Sequence, residues 1–500
     1  MTSSEIGAGP TVGDQKAGNK WMVMLTVAAG ILLATIDGSI VNIALPTLVE
    51  DLDTSFPVVQ WVHLAYLLAL AALSLGVGRW GDVVGKKRIY ATGFAAFTIA
   101  SLLCGLAPSV GWLIAFRVLQ AIGATMVLAL GVAILTEAFP ARERGKALGW
   151  AGTAVSLGIV TGPVVGGLLL SSFTWRSIFF VNLPVGIVGT WLALRYVPDT
   201  PPVPGQRFDR LGAVLLAISL TSLTLGINLV QQASVTDPLV IGLLALALLV
   251  GAVFVAYERR HPHPMIALRL FRNRMLTSGL ASGFLTFVAV TSIFLLMPFF
   301  LENVMGMPVR QVGLLLAVSP LALGIVAPIA GGLSDRFGPR GIITIGAVIL
   351  ALAYARFAGI SQELTVAGYV TLALPIGIGM GVFQSPNNSA VMSSVPLEYL
   401  GVGSSLLNLT RLLGQIVGAA LLGSFWATRV ASHGGPLPAE GAPAASATAQ
   451  VLGLRDTYLV ATFLMVASVA ICLWASTHDR ADRSDSRKPQ LVDLPTQPQP

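Results

Sequence analysis

The sequence predicts an all-α polytopic membrane protein of fourteen transmembrane helices, built as two six-helix repeats plus two extra helices, with both termini cytoplasmic. Three observations predict it. Of 500 residues, 55% are hydrophobic and only 11% charged, and a mean hydropathy of +0.80 leaves more apolar surface than a water-soluble globule can bury. Apolar runs of about 20 residues, the length that crosses a bilayer as a helix, recur along the whole chain. Basic residues cluster at every second junction between those runs.

Unpaired backbone N–H and C=O groups are costly in lipid, so each run must be a helix. The fourteen spans read from the sequence are 21–46, 58–78, 89–107, 111–138, 147–170, 177–197, 208–230, 238–257, 275–300, 311–331, 341–360, 364–390, 400–428 and 455–476. Residues 1–20 form a polar, Gly-rich cytoplasmic tail. The apolar run after it is too long for a secretory signal and lacks a small-residue cleavage site, so it is the first spanning helix. Residues 21–197 then make an N-terminal six-helix half. Residues 198–274 hold two extra helices and a basic connector, in which His261-Pro262-His263-Pro264 reads as a stiff polar linker, since two histidines without further ligands make no metal site. Residues 275–476 make the C-terminal half, with an Ala-, Gly- and Pro-rich outer loop at 431–454, and residues 477–500 form a disordered cytoplasmic tail.

With the N-terminus inside, 23 Lys and Arg residues fall on the cytoplasmic side and four outside (Arg176, Arg310, Arg429, Arg455), which fixes orientation. The net charge of +7 is therefore topological, and a nucleic-acid partner is not expected. Two cysteines, each inside an apolar run, exclude a disulfide framework or a Cys-rich metal site. No Gly-rich phosphate loop ends in Lys-Ser or Lys-Thr, so ATP is not the fuel; no cofactor is expected, and an ion gradient remains as energy source.

A repeat lies in the junctions. Gly78, Asp82, Gly85 and Lys87 after helix 2, with Lys86 beside them, share their spacing with Gly331, Asp335, Gly338 and Arg340 after helix 10. Glycines permit a tight hairpin, the Asp can cap or pair with the next helix, and the cations stay in the cytoplasm. Two copies after even-numbered helices suggest two related halves facing the same way, and a conformational latch rather than a plain charged turn.

Ionisable residues inside the membrane cost about 2.5–3.5 kcal/mol on insertion scales and each requires a reason. Asp37 in helix 1 and Arg117 in helix 4 lie at similar depths, ~13 and ~9 Å from the outer ends of their helices at a rise of about 1.5 Å per residue. If the helices are neighbours the charges satisfy each other, either as a proton-coupling pair or as a static pair that only specifies packing. Glu137 and Glu302 read as interfacial, and His63 as a simple hydrogen-bonding group near the outer end of helix 2. In helix 5, Gly158, Gly162, Gly166 and Gly167 allow close helix approach and Pro163 favours a bend, a combination suited to sealing one side of a cavity. Asn42, Gln120, Phe294, Met297, Gln384, Asn387, Asn388 and Arg411 are candidate substrate-cavity residues, mixing aromatic area with amide hydrogen bonds; the partner of Arg411 is not readable.

These motifs carry a resemblance. The paired loops, Thr35-Ile36-Asp37-Gly38-Ser39-Ile40-Val41-Asn42-Ile43-Ala44-Leu45-Pro46 in helix 1, Arg117 with Gln120 and Gly123 in helix 4, and Gly158 to Gly167 in helix 5 resemble the major facilitator superfamily, in particular its fourteen-helix drug:proton antiporter branch of the EmrB/QacA type. The likeness covers the chain except the outer loop and tail. Val83 departs from the usual arginine of the first loop, Ala121 from glycine, and Ser39 from threonine. The resemblance implies a major facilitator fold and, for helix 5, control of leak in an exchanger. The expected function is proton-coupled efflux of small amphipathic compounds by alternating access; a symporter or facilitator of a small metabolite in the same fold is the alternative. A membrane-bound enzyme or receptor finds no nucleophile-base pair or ligand cluster to support it. Expected partners are the lipid bilayer, protons and an amphipathic substrate, neutral, zwitterionic or monocationic before dicationic, handled by a monomer. An excess of 24 Arg over 6 Lys points to a GC-rich bacterial genome, hence a bacterial cell membrane.

Overall fold

The computed structural model describes residues 20–54, 56–199, 208–230, 236–261, 264, 266–435, 442 and 445–485. Among the described residues the secondary structure is helical throughout, and fourteen helices are long and apolar enough to cross a membrane. They are α1 (Lys20–Asp51), α2 (Phe56–Val84), α3 (Lys86–Gly105), α4 (Val110–Ala138), α5 (Arg144–Ser172), α6 (Ser177–Tyr196), α7 (Arg210–Val230) and α8 (Pro238–Glu258), followed by α9 (Arg274–Phe299), α10 (Val318–Phe337), α11 (Pro339–Phe357), α12 (Val366–Ser393), α13 (Leu400–Gly434) and α14 (Ala447–Asp485). A short helix, Val309–Leu316, leads into α10, and 3-10 turns at Ala141–Glu143 and Leu397–Tyr399 lead into α5 and α13.

The packing repeats with an offset of eight helices. In the first half α1 packs on α5 and α6, α4 on α2 and α3, and α3 on α6; in the second α9 packs on α13 and α14, α12 on α10 and α11, and α11 on α14. The halves meet along two matching seams, α5 against α10 and α2 against α13. Helices α7 and α8 pair with each other, and α7 rests on α2 and α13, beside one seam rather than between the halves. The outer leucines of α8 (Leu239, Leu246, Leu248, Leu249) are exposed, as a lipid-facing helix requires.

Lys20 at the start of α1 bonds Glu143 at 2.6 Å, and Arg274 at the start of α9 lies over Trp474 of α14 at 5.7 Å. Both described ends of the chain thus lie at the end of the bundle that carries the basic clusters, here the basic end.

Three expectations need correction. The repeated motifs are not loops: α2 runs through Asp82 to Val84 and α10 through Asp335 to Phe337, and the turn is a single glycine in each, Gly85 at φ 110° and Gly338 at φ 88°. At those dihedrals a Cβ costs about 1–2 kcal/mol, so glycine alone makes the turn and the Asp stays in helical register. The outer loop is shorter than 431–454, because α13 continues to Gly434 and α14 starts at Ala447, where alanine-rich sequence is helix-forming and the Ser446 hydroxyl accepts from the Ala449 N–H. In the tail, residues 477–485 continue α14; residues 486–500, like the N-terminal residues 1–19, lie outside the described residues.

Candidate functional site

Near the middle of α1 the Asp37 carboxylate is fully buried. Arg117 Nη1 donates to its Oδ2 at 2.6 Å, and the amides of Gln120 (α4) and Asn182 (α6) donate to its Oδ1, each at 2.9 Å. Arg117 and Gln120 share one face of α4 because they lie three residues apart. The network spreads further: Arg117 Nε donates to the Val62 carbonyl at 3.1 Å, the guanidinium sits 4.1 Å from the Tyr66 ring centre, and Gln120 Nε2 lies 2.7 Å from Ser101 Oγ of α3. Helices α1, α2, α3, α4 and α6 of one half therefore converge on a single carboxylate. Breaking such a buried pair by removing one partner costs about 3–5 kcal/mol. Among the described residues Arg117 Nη2 and the Tyr66 hydroxyl are buried with no hydrogen-bond partner, so the cluster is not saturated.

The glycines of α5 lie directly behind this site. A Cβ on Gly158 would stand 2.6 Å from Thr35 Cβ, one on Gly166 2.8 Å from Ile40, and one on Gly162 would collide with the Ser39 hydroxyl, all on the helix that bears Asp37. Ser39 also donates to the Gly158 carbonyl at 3.2 Å. Gly167 does not belong to the stripe: a Cβ there meets nothing within 4 Å, because one further residue turns it off the α1 face. Towards the basic end the same helix changes neighbour. Gly145, Gly149, Thr153 and Ser156 meet α10, with Thr153 donating to the Gly324 carbonyl at 2.6 Å and Ser156 to that of Pro320.

The two repeated aspartates are clasps between halves. Asp335 of α10 accepts from the backbone N–H groups of Gly145 and Lys146 at 2.7 and 2.9 Å, at the N-terminus of α5. Asp82 of α2 accepts from Gly401 and Val402 at 2.8 and 3.1 Å, at the N-terminus of α13. Each carboxylate thus caps a helix of the opposite half, where free donors and the helix dipole favour an anion. The sequence expectation of a partner on the next helix holds only for Lys86, which bonds Asp82 at 2.9 Å. Lys86 also bonds Glu137 at 2.8 Å, which places Glu137 in the clasp and not at a simple interface. Gly78 and Gly331 complete the symmetry: a Cβ on either would strike the carbonyl of Gly401 or Gly145 respectively. Arg79, one of the 23 basic residues assigned to the cytoplasmic side, is buried against the Tyr399 ring at 4.8 Å. Lys87 is partly exposed, and Arg340 lines a crevice beside Asp335.

Between the halves lie two adjoining cavities of about 80 Å³ each, which share Val155, Phe287, Gln384 and Arg411. Asn388 and Asn408 line the first, Phe294 and Gln415 the second. Four of the expected cavity residues are therefore together: Phe294, Gln384, Asn388 and Arg411. Three are elsewhere. Gln120 serves Asp37, Met297 is fully buried in the core of the second half, and Asn387 donates to the Gly279 carbonyl at 3.0 Å, tying α12 to α9. The side chains of Asn42 and Pro163 lie outside the described residues. Pockets that take a drug-sized ligand span roughly 300–1,000 Å³, so admission of one requires the halves to part.

Sequence reasoning missed Asn182, Ser101 and Tyr66, which are common residue types in apolar runs and show no partner until the helices pack. It also missed the receiving ends of the clasps, although a second repeat marks them: Pro140 precedes Gly145, and Pro396 precedes Gly401, by the same five residues.

The sequence profile of the Major Facilitator Superfamily matches residues 27–419. The chain is 36% identical over 410 residues to the riboflavin transporter RibZ of Clostridioides difficile (strain 630), covering 82% of this chain and 88% of that protein. It is 34% identical to the multidrug resistance protein Stp of Mycobacterium tuberculosis (strain CDC 1551 / Oshkosh), covering 81% and 75%. Among solved structures, the human organic anion transporter MFSD10 (TETRAN) superposes with a TM-score of 0.63 over 89% of this chain and 99% of that one; at 15% identity this speaks for the fold alone.

Proposed function

Because the chain belongs to the major facilitator superfamily, and is thus a multi-pass membrane transporter and not an enzyme, we propose that it exports small amphipathic compounds in exchange for protons. This reading places it in the fourteen-helix drug:proton antiporter branch, in a bacterial cytoplasmic membrane with the basic end inside and working as a monomer. The observation that carries it is the double engagement of α5. One stretch of that helix packs through Gly158, Gly162 and Gly166 on the helix of Asp37, while the stretch nearer the basic end forms the seam with α10 under the Asp335 clasp. Protonation of Asp37 removes the anion that orients Arg117, Gln120 and Asn182, and the resulting shift of α1 reaches the seam through one rigid element. The seam hydrogen bonds hold the basic end closed, so loosening them opens the central cavity to the basic side.

Transport of a metabolite, by a symporter or a facilitator, is the second reading, and the similarity to a riboflavin transporter favours a metabolite as cargo. Purified protein in proteoliposomes with an acidic lumen separates the two. An antiporter accumulates its compound in the acidic lumen, and a symporter drives it out. Riboflavin and a panel of amphipathic drugs are the compounds to load, and accumulation of none of them in the acidic lumen would overturn the antiport reading.

A further inference from the structure

Arg117 and Arg411 are both guanidinium groups inside the bundle, and among the described residues only Arg117 has a counter-ion. Arg117 is neutralised by Asp37 at 2.6 Å. Arg411 of α13 makes one hydrogen bond among the described residues, to Asn408 Oδ1 at 2.9 Å on its own helix. It lines both central cavities, and no Asp or Glu lines either of them among the described residues. Arg411 is partly buried, and a cation with little water around it is unfavourable until an anion or several acceptors complete it. Four of the five guanidinium N–H donors remain for that purpose, in a planar fork that matches a carboxylate or sulfonate. Gln384 adds an amide from the facing helix, and Phe287 and Phe294 offer flat apolar surface beside it.

The geometry points to an anion-recognition site at Arg411, so that the transported compound is an amphipathic organic anion, a flat apolar body bearing a carboxylate, sulfonate or ionised hydroxyl. The inference rests on the transport reading only in taking the cavity as the substrate site. It reverses the expectation from sequence, which counted the one mid-membrane acid and favoured neutral or cationic compounds; that acid is consumed by Arg117, and the charge facing the cavity is positive. It also sets the electrical character of exchange. One anion leaving as one proton enters moves two positive charges inward, so an inside-negative potential accelerates export, whereas exchange of one cation for one proton is electroneutral.

Two dyes that differ by a single sulfonate test the site: 1-anilinonaphthalene-8-sulfonate and its neutral parent N-phenyl-1-naphthylamine. Saturable binding of each is measured to the full chain in lipid nanodiscs, with ethidium as the cationic control. The sulfonate should bind about tenfold tighter or more than the neutral dye, the scale of one charge-assisted hydrogen bond. Arg411→Gln should erase that preference while leaving the neutral dye within about twofold, and Arg411→Lys should restore part of it. In the unmutated protein, saturating sulfonate dye should shield Arg411 from phenylglyoxal, read by peptide mass spectrometry, and the neutral dye should not; this readout needs no variant to fold. Binding does not depend on proton coupling, so failure here leaves antiport standing, and failure of antiport leaves this result standing. Equal affinity for the two dyes, tighter binding of ethidium, a sulfonate preference that survives Arg411→Gln, or phenylglyoxal labelling unchanged by the sulfonate dye would each overturn the proposal.

Discussion

Asp335→Asn isolates what one clasp contributes. The carboxylate accepts two backbone N–H bonds at 2.7 and 2.9 Å from the first turn of α5. An asparagine retains one acceptor oxygen and no charge, so one bond and the interaction with the helix dipole are lost. A hydrogen bond to a charged group contributes about 1.5–3 kcal/mol and the dipole about 0.3–1 kcal/mol. Asp335 is partly exposed, so the lower ends apply, about 2 kcal/mol in all, and the conformer closed at the basic end loses population relative to the open one by about thirtyfold. Asp335 is the cleaner of the two sites, because Asp82→Asn also disturbs Lys86. Spin labels at two exposed positions of the basic end, Arg88 in the first half and Phe337 in the second, report the change as a longer distance population by double electron-electron resonance. Turnover should fall several-fold while dye affinity changes little, since the clasp lies away from the cavity. An unchanged distance distribution, or an affinity that falls as much as turnover, refutes the clasp.

Gly331→Val places side-chain atoms against the Gly145 carbonyl and should reproduce the Asp335→Asn distance population without altering any charge; an unshifted distribution would show that close approach at this seam is unimportant. Gly338→Ala forces a side chain into φ 88° and should lower stability by about 1–2 kcal/mol, read as a lower melting temperature in detergent, with no change expected at Gly332→Ala, where the space is open. Asn182→Leu removes one donor from Asp37 Oδ1 and should lower thermal stability by about 1–3 kcal/mol while membrane insertion stays normal. Tyr66→Phe keeps the ring against Arg117, so abundance should hold, but it removes the buried hydroxyl beside the ion pair; the expected result is a lower proton-to-substrate ratio in a pH-jump flux assay.

Much of the fold was legible because lipid imposes it. Apolar run length and the 23-to-4 division of basic residues follow from solvation alone and need no knowledge of packing. The spacing of Gly78, Asp82 and Gly85 announced the repeat, and the depths of Asp37 and Arg117 announced their pairing. What sequence did not announce depends on contacts between distant segments. That Asp82 reaches α13 as well as Lys86 of α3 is decided by how α2 packs, and that Asn182 serves Asp37 by where α6 returns. Helix ends were misjudged where polar residues continue a helix because they are paired across a seam, as at Arg79 and Asp82, so that hydropathy marks an exit where the backbone has none. Cavity residues were chosen by type, and type does not give facing: Asn387 and Asn388 are neighbours, yet one ties α12 to α9 and the other lines the cavity.

If Asp37 carries the coupled proton, Asp37→Asn in proteoliposomes with an acidic lumen loses coupling and keeps exchange. Asparagine keeps the size of the carboxylate and can still accept from Gln120 and Asn182, but it takes up no proton and leaves Arg117 without its anion. A companion variant, Asp37→Asn with Arg117→Gln, removes the stranded cation and separates a folding fault from a coupling fault. The compound that wild-type protein accumulates most strongly in the acidic lumen is followed in both variants, at matched reconstituted amounts. Downhill exchange should persist and pH-driven accumulation should be absent in both, even where the double variant recovers abundance. Wild-type accumulation in well-folded Asp37→Asn protein, or its return in the double variant, would contradict the account and leave Asp37 as a packing partner of Arg117.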